Sequence, residues 1–225
     1  MSESIVAAPP PASDTSPKRR QVLDAATDLF LAQGYGAVSM DAVARAAGVS
    51  KATLYAHFAS KEALFATIMR DRSANYRLDE SLFPESVTDL RATLEANGRR
   101  IMRFMLQERT LAIYRIALGE AGRFPELGRT FFENGPGKFC VRAQAWLAVL
   151  RAAGLVRAAD LEVATTQFMA LLRSDLFLRA SLALPPAPTE AEIDATVSAA
   201  VETWLRAFGA EATGRSGFGA PGDCA

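Results

Sequence analysis

The chain has 225 residues, half of them hydrophobic, enough for one domain or two small ones around a sizeable core. Basic and acidic residues balance at 25 each, so overall charge advertises no polyanionic partner. The two cysteines, Cys140 and Cys224, are too far apart for a metal-ligand spacing or a disulfide framework. No apolar run approaches the length of a membrane-spanning helix, and the first sixteen residues lack the basic start of a signal peptide, so a reduced cytoplasm is the expected location.

Helical periodicity dominates, and no strand pairs are evident. Residues 1–16 hold several prolines and read as a disordered tail. Pro17 suits a first helical position, and Val22, Ala26, Leu29 and Phe30 mark one buried face of the helix that follows. Gly34 and Gly36 end it. The stretch SMDAVARAAGVSKATLYAHFASK, Ser39 to Lys61, then reads as helix, tight turn, short helix and the start of another. Ser39, Ser50 and Ser60 are each placed to cap a helix, and Gly48 supplies the left-handed turn. Small residues at Ala44, Ala46 and Ala47 let two helices approach closely, which is the economy of a helix-turn-helix. Its basic residues exceed its acidic ones by three between Pro17 and Lys61, giving a local footprint for phosphates on a neutral chain.

The fourth helix carries Leu64, Phe65, Ile68 and Met69, runs toward Tyr76 and loses definition near Pro84. Ser86 with Asp89 resembles a capping box ahead of Leu90, Leu94, Ile101, Phe104 and Met105. Leu111 to Ala121 is a further helix. Pro125 opens a short one through Phe132, which Asn134-Gly135-Pro136-Gly137 breaks. Phe139 to Ala153 is helical and ends at Gly154. Asp160 to Leu184 is apolar on nearly every side and so is expected to be buried on more than one face. After Pro185, Pro186 and Pro188, Thr189 with Glu192 makes a capping box. Ile193, Val197, Ala200, Val201, Trp204, Leu205 and Phe208 then form a continuous stripe. The glycine-rich residues 210–225 read as a second disordered tail.

The helix-turn-helix segment, with RRQVLDAATDLFLAQGY before it and SKEALFATI after it, closely resembles the DNA-binding domain of TetR-family transcriptional regulators, over about Pro17 to Ile68. RFPELGRTFFENGP together with TTQFMALLRSDLFLRASLAL looks like the C-terminal domain of an AefR-like subgroup of that family. The resemblance implies an all-α fold: a DNA-binding module at 17–68 and a ligand-binding and dimerisation domain at 69–209. It also implies that the last two helices build a dimeric four-helix bundle and that the helices before them enclose a pocket.

The roles follow from that frame. Lys51, at the start of the recognition helix, is placed for a base edge or a phosphate. Ala52 and Thr53 are small enough for a deep approach, and either methyl suits a thymine methyl. Ala52 stands where the family often has glycine. Tyr55 and Ser50 are further contact candidates. His57, the only histidine, has no partner at metal-ligand spacing, and the resemblance makes it a phosphate contact. Lys61 and Ser39 are expected at phosphates. Candidate pocket residues are Phe104, Met105, Tyr114, Phe131, Phe132, Trp146 and Phe168, each with core packing as its alternative. Cys140 reads as an inert thiol rather than a redox sensor. Leu172, Leu176, Val197, Val201, Trp204, Leu205 and Phe208 are the expected dimer interface, with a monomeric core as the alternative for the same stripe.

The combined expectation is a homodimeric repressor in the cytoplasm, at the nucleoid when bound to a palindromic double-stranded operator. A small hydrophobic or aromatic effector would release it. The alternative is a DNA-bound scaffold that recruits a protein partner without an inducer. No cofactor motif, metal cluster, nucleophile elbow or paired-carboxylate motif points to an enzyme.

Overall fold

The computed structural model describes residues 17–75 and 82–210. Both tails read as disordered, Cys224 with them, fall mainly outside these residues. The described part is helical, and among the described residues the only extended pairing is an isolated bridge between Val156 and Gly209. The helices are α1 (Pro17–Gln33), α2 (Met40–Ala46), α3 (Lys51–His57), α4 (Lys61–Asn75) and α5 (Leu90–Met105). They are followed by α6 (Glu108–Glu120), α7 (Pro125–Asn134), α8 (Pro136–Ala152), α9 (Leu161–Ser181) and α10 (Glu190–Phe208).

Local chemistry sets most of these boundaries. The Ser39 hydroxyl accepts from Ala42 N–H at 3.1 Å, Ser50 from Thr53 N–H at 3.1 Å and Ser60 from Ala63 N–H at 3.1 Å. Each satisfies one of the orphan donors of a first helical turn. Gly48 closes α2 with φ +61°, and Gly154 closes α8 with φ +74°. Asp89 alone caps α5, accepting from Ala92 N–H at 2.9 Å, so the box expected from Ser86 does not form there. The prolyl break near residue 136 is shorter than expected, because Pro136 itself opens α8 where a missing N–H costs nothing. α9 is interrupted at Ser174, whose φ of 16° and ψ of −162° are not helical.

α10 begins with a complete capping box. Thr189 Oγ1 accepts from Glu192 N–H at 3.2 Å, and the Glu192 carboxylate accepts from Thr189 N–H at 2.9 Å. The Thr189 N–H, then the Arg179 guanidinium, hold the Glu192 carboxyl down at about 2. A depressed carboxylate stabilises the fold above its ordinary pKa and loses that contribution as pH falls through the folded value. Glu192→Gln is therefore expected to flatten the acid limb of unfolding between about pH 4.5 and 2. A thermal-midpoint series across that window in both proteins checks it, and identical slopes would refute it.

The helices gather into two compact units that do not follow chain order. One contains α1 to α4 together with α6 and α7. Its core joins Val22, Ala26, Phe30, Tyr35, Val43, Leu54, Phe58 and Phe65 to Ile113 of α6 and Leu127 of α7. The other contains α5, α8 from Phe139 onward, α9 and α10. Here the α10 stripe is covered from within the protomer by α5 and α9. Val197 and Val201 are fully buried, Trp204 is 1% exposed, and Leu172 and Leu176 of α9 are buried beside them. Gly98 of α5 makes this fit possible, since a Cβ there would stand 2.7 Å from Val197 Cγ1.

The burial corrects one expectation. Leu172, Leu176, Val197, Val201 and Trp204 are core residues of the protomer and have no surface left for a second copy. Leu205 and Phe208 are half-buried, with Phe208 stacked on Trp204 at 5.4 Å between ring centroids. The outward sides of these helices carry other residues. Val163, Leu178, Leu182 and Leu184 are 41–61% exposed on α9 and just after it. Ala195, Ser198 and Ala199 lie exposed on α10.

Candidate nucleic-acid interface

α3 owes its orientation to two anchors. Leu54 is fully buried and Phe58, just past the helix, is 3% exposed; both join the core of the first unit. With Leu54 inward, helical geometry turns Ala52 and Ala56 to the opposite face, Lys51 and Tyr55 lie on its flank, and all four are exposed. Tyr55 is half exposed, so its ring is not a core aromatic. His57 is exposed next to the Phe58 ring. Thr53 is half-buried, and its hydroxyl shares a hydrogen bond with Ser50 Oγ at 2.8 Å. The predicted contact residues of α3 thus lie along one surface. Lys51 Nζ meets Asp41 of α2 at 2.5 Å, an exposed pair that ties the two helices of the motif. Such a pair adds little stability, so a phosphate can compete for the ammonium at small cost. Ser39 is also exposed, with its hydroxyl engaged in the α2 cap.

Lys61 is different and corrects the phosphate assignment of its side chain. Its ammonium turns inward, donating to Tyr35 O at 2.9 Å and Val38 O at 3.0 Å. It also sits 4.2 Å from the centroid of the Tyr35 ring. The charge is spent on the turn between α1 and α2. Tyr35 itself is fully buried; burial first, then Glu62, pushes its hydroxyl pKa well up, and that hydroxyl donates to Glu62 at 3.1 Å. The Ser60 hydroxyl, ahead of the smaller help from Tyr35, keeps the Glu62 carboxyl below its usual range.

A second grip on this turn was not foreseen. Glu120, the last residue of α6, accepts from Tyr35 N–H at 2.5 Å and from Gly36 N–H at 2.6 Å. Phe124 stacks edge-on against Tyr35 at 5.7 Å. The two glycines of the turn are required by this approach. Gly34 has φ +80°, and a Cβ there would stand 2.7 Å from Glu120 Oε1. At Gly36 a Cβ would stand 2.8 Å from the Phe124 ring. The glycines in QGYG are the one sequence signal of this grip.

The second unit holds a cavity lined by Leu82, Phe83, Leu94, Asn97, Ile101, Phe139, Ala143, Trp146, Leu147, Thr165, Phe168, Met169 and Trp204. Its closed volume is small, about 30 Å³, within about 410 Å³ of space that includes open solvent. Of the expected pocket residues, Trp146 and Phe168 line it. Phe104 and Met105 lie on α5 outside the lining. Tyr114 and Phe131 pair with each other at 6.1 Å in the first unit, and Phe132 is 60% exposed there. These three leave the pocket set because α6 and α7 pack with the DNA-binding helices. Cys140 is half-buried, and burial raises its thiol pKa, consistent with an inert thiol.

A capped helix-turn-helix on a helical core, with a separate helical unit that encloses an apolar cavity, defines a DNA-binding transcriptional regulator. Residues 22–68 match the family model of bacterial regulatory proteins of the tetR family, and residues 92–210 match the C-terminal domain of AefR-like transcriptional repressors. The chain belongs to the TetR family of transcriptional regulators, which are not enzymes. Among solved structures it is similar to the flavonoid-responsive regulator FrrA, at 38% identity over 87% of this chain and 98% of that one, with a TM-score of 0.74. It is also similar to a TetR transcriptional regulator from Agrobacterium tumefaciens, at 29% identity over 87% and 96% of the two chains, with a TM-score of 0.71. A shorter match, 42% identical over 39% of this chain, is to the transcriptional repressor KstR2 of Rhodococcus jostii, of whose length the chain spans 45%. No helix among the described residues is long and apolar enough to cross a membrane.

Proposed function

We propose that this regulator is a dimeric repressor that binds an inverted-repeat operator and leaves it when a small apolar or aromatic effector enters the cavity of the second unit. The single observation that carries the DNA half is the exposed face of α3, Lys51, Ala52, Tyr55 and Ala56, held outward by Leu54 and Phe58. Lys51 and Tyr55 read or grip the groove, His57 and Ser39 contact flanking phosphates, and Ser50 and Thr53 fix the start of the helix. Dimerisation uses the outward sides of α9 and α10, through Val163, Leu178 and Leu182 against the small residues Ala195, Ser198 and Ala199. Two such protomers present their recognition helices to half-sites one helical turn, about 34–36 Å, apart.

The cavity supports effector release over a recruiting scaffold. Its walls are three phenyl rings, Phe83, Phe139 and Phe168, and the indoles of Trp146 and Trp204 among aliphatic chains, so a flat apolar molecule suits it. FrrA, named as flavonoid-responsive, makes a flat aromatic effector the first class to try here. The chain itself offers a route for the signal. α5 lines the cavity with Leu94, Asn97 and Ile101, and only Leu106 and Gln107 separate it from α6, whose last residue grips the α1–α2 turn. An effector that favours a different placement of α5 therefore biases the turn that carries Ser39 and α2. Each tenfold loss of operator affinity needs about 1.4 kcal/mol of such bias.

Selection of bound fragments from genomic DNA tests the operator, and a titration of that DNA against salt tests the contacts. Lys51→Ala is expected to lower the slope of log affinity against log salt by about one and to weaken all sequences similarly if its partner is a phosphate. A variant with unchanged affinity and slope would remove Lys51 from the interface. For the effector, linkage is the test: operator DNA must weaken effector binding by the same factor that effector weakens operator binding.

A further inference from the structure

The cavity presents almost no free polar group of its own. Trp146 Nε1 donates to Pro84 O at 2.9 Å and Trp204 Nε1 to Ala164 O at 2.8 Å. Asn97 Nδ2 donates to Leu82 O at 2.7 Å, and Thr165 Oγ1 to Leu161 O at 2.8 Å. A ligand held by these walls alone would be selected for apolar shape.

Beside them stands one polar group left over. Among the described residues, the only buried side-chain nitrogen or oxygen without a hydrogen-bond partner is Arg173 Nε. A guanidinium cannot shed its charge, and a buried N–H with no acceptor is costly. Arg173 follows Met169 of the cavity wall by one helical turn, on the same side of α9. Its charge reaches Cys140, the neighbour in sequence of Phe139 of the same wall, and its Cζ lies 6.0 Å from the Phe177 ring centroid. No described carboxylate pairs with it. Asp175, two residues on, is taken by Arg179 at 2.8 Å. α9 also leaves helical geometry at the very next residue, Ser174.

We infer that the effector is an aromatic acid, its ring system in the apolar cavity and its carboxylate on the Arg173 guanidinium at the cavity's end. This rests on the cavity being the effector site. A planar guanidinium takes a carboxylate through two parallel charge-assisted hydrogen bonds, which fixes orientation as well as strength. The arrangement separates acids from their neutral isosteres, which the cavity walls cannot do.

The test uses the full-length protein and two probes of one shape, 2-naphthoate and 2-naphthamide, with affinities read by titration calorimetry at neutral pH. Naphthoate is expected to bind at least tenfold tighter than the amide. Arg173→Gln should erase that preference by weakening naphthoate at least tenfold while the amide changes less than twofold. Arg173→Lys, which keeps the charge, should retain part of it. Ala143→Trp, which fills the cavity, should exclude both probes. Equal affinities for the two probes, or an Arg173→Gln loss shared equally between them, would overturn the carboxylate anchor while leaving the cavity as the effector site. Binding of neither probe, or binding that survives Ala143→Trp, would overturn both the anchor and the cavity reading.

Discussion

Glu120→Ala is expected to cost the DNA-binding unit on the order of 2–4 kcal/mol and to lower operator affinity at least tenfold. The carboxylate accepts from two consecutive backbone N–H groups, Tyr35 and Gly36, in a partly buried turn. An alanine leaves both donors without the carboxylate for which Gly34 and Gly36 leave room. The loss does not stay at the turn. Val38, whose carbonyl is held by Lys61, lies two residues after Gly36, and Ser39 caps α2 directly after it. A loosened turn therefore frees α2, and α3 follows through their mutual packing. Thermal unfolding and operator binding by fluorescence anisotropy check the two halves of this expectation. A variant with the parent's midpoint and operator affinity within twofold would show the grip to be idle.

Lys61 belongs to the same argument from the other side. Lys61→Met keeps the length of the side chain but removes two hydrogen bonds to carbonyls and the contact with the Tyr35 ring. It is expected to destabilise the unit by about 1–3 kcal/mol with the salt slope of DNA binding unchanged. A slope lowered by about one without loss of stability would return Lys61 to the phosphate contacts.

What the sequence made legible was local. Ser39, Ser50, Ser60 and Thr189 cap their helices because a cap depends on residues two or three positions away, and the same holds for the turns at Gly48 and Gly154. The exposed face of α3 is as local, set by Leu54 and Phe58, four residues apart on the buried side. Long-range pairing was not legible. Lys61 finds its acceptors 23 and 26 residues away, and Glu120 finds its donors 84 and 85 residues away. Without those partners, a lysine at the start of a helix in a DNA-binding motif reads as a phosphate contact. The aromatics failed for a related reason. Tyr114, Phe131 and Phe132 sit between Phe104 and Trp146 in sequence, but α6 and α7 fold back onto the DNA-binding helices and carry those rings out of the cavity's unit. Asn97 was the missed clue on the other side. A single amide in the stripe from Leu94 to Ile101 marks a buried place where the backbone, here Leu82 O, needs a donor.

The α10 stripe shows the limit of a pattern most clearly, and it sets the last expectation. Periodicity established that Val197, Val201 and Trp204 face something apolar, yet α5 of the same protomer and a helix of a second copy satisfy that requirement equally well. Trp204→Ala separates the two. The indole is 1% exposed, stacks edge-on with Phe168 at 5.9 Å and donates to Ala164 O. Its loss is expected to cost about 3–5 kcal/mol, combining the burial of a large ring with the cavity left behind. For a chain of this size that lowers the thermal midpoint by on the order of 10 °C. Because the contact is inside one protomer, the drop should be the same size at every protein concentration. Sedimentation at low temperature should find the folded variant associating as the parent does. Leu178→Glu, on the outward side of α9, should do the reverse, weakening association while leaving the midpoint of the dissociated protein in place. If Trp204→Ala instead shifted the dissociation constant with little loss of protomer stability, α10 would have to be moved from the protomer core to the interface between copies.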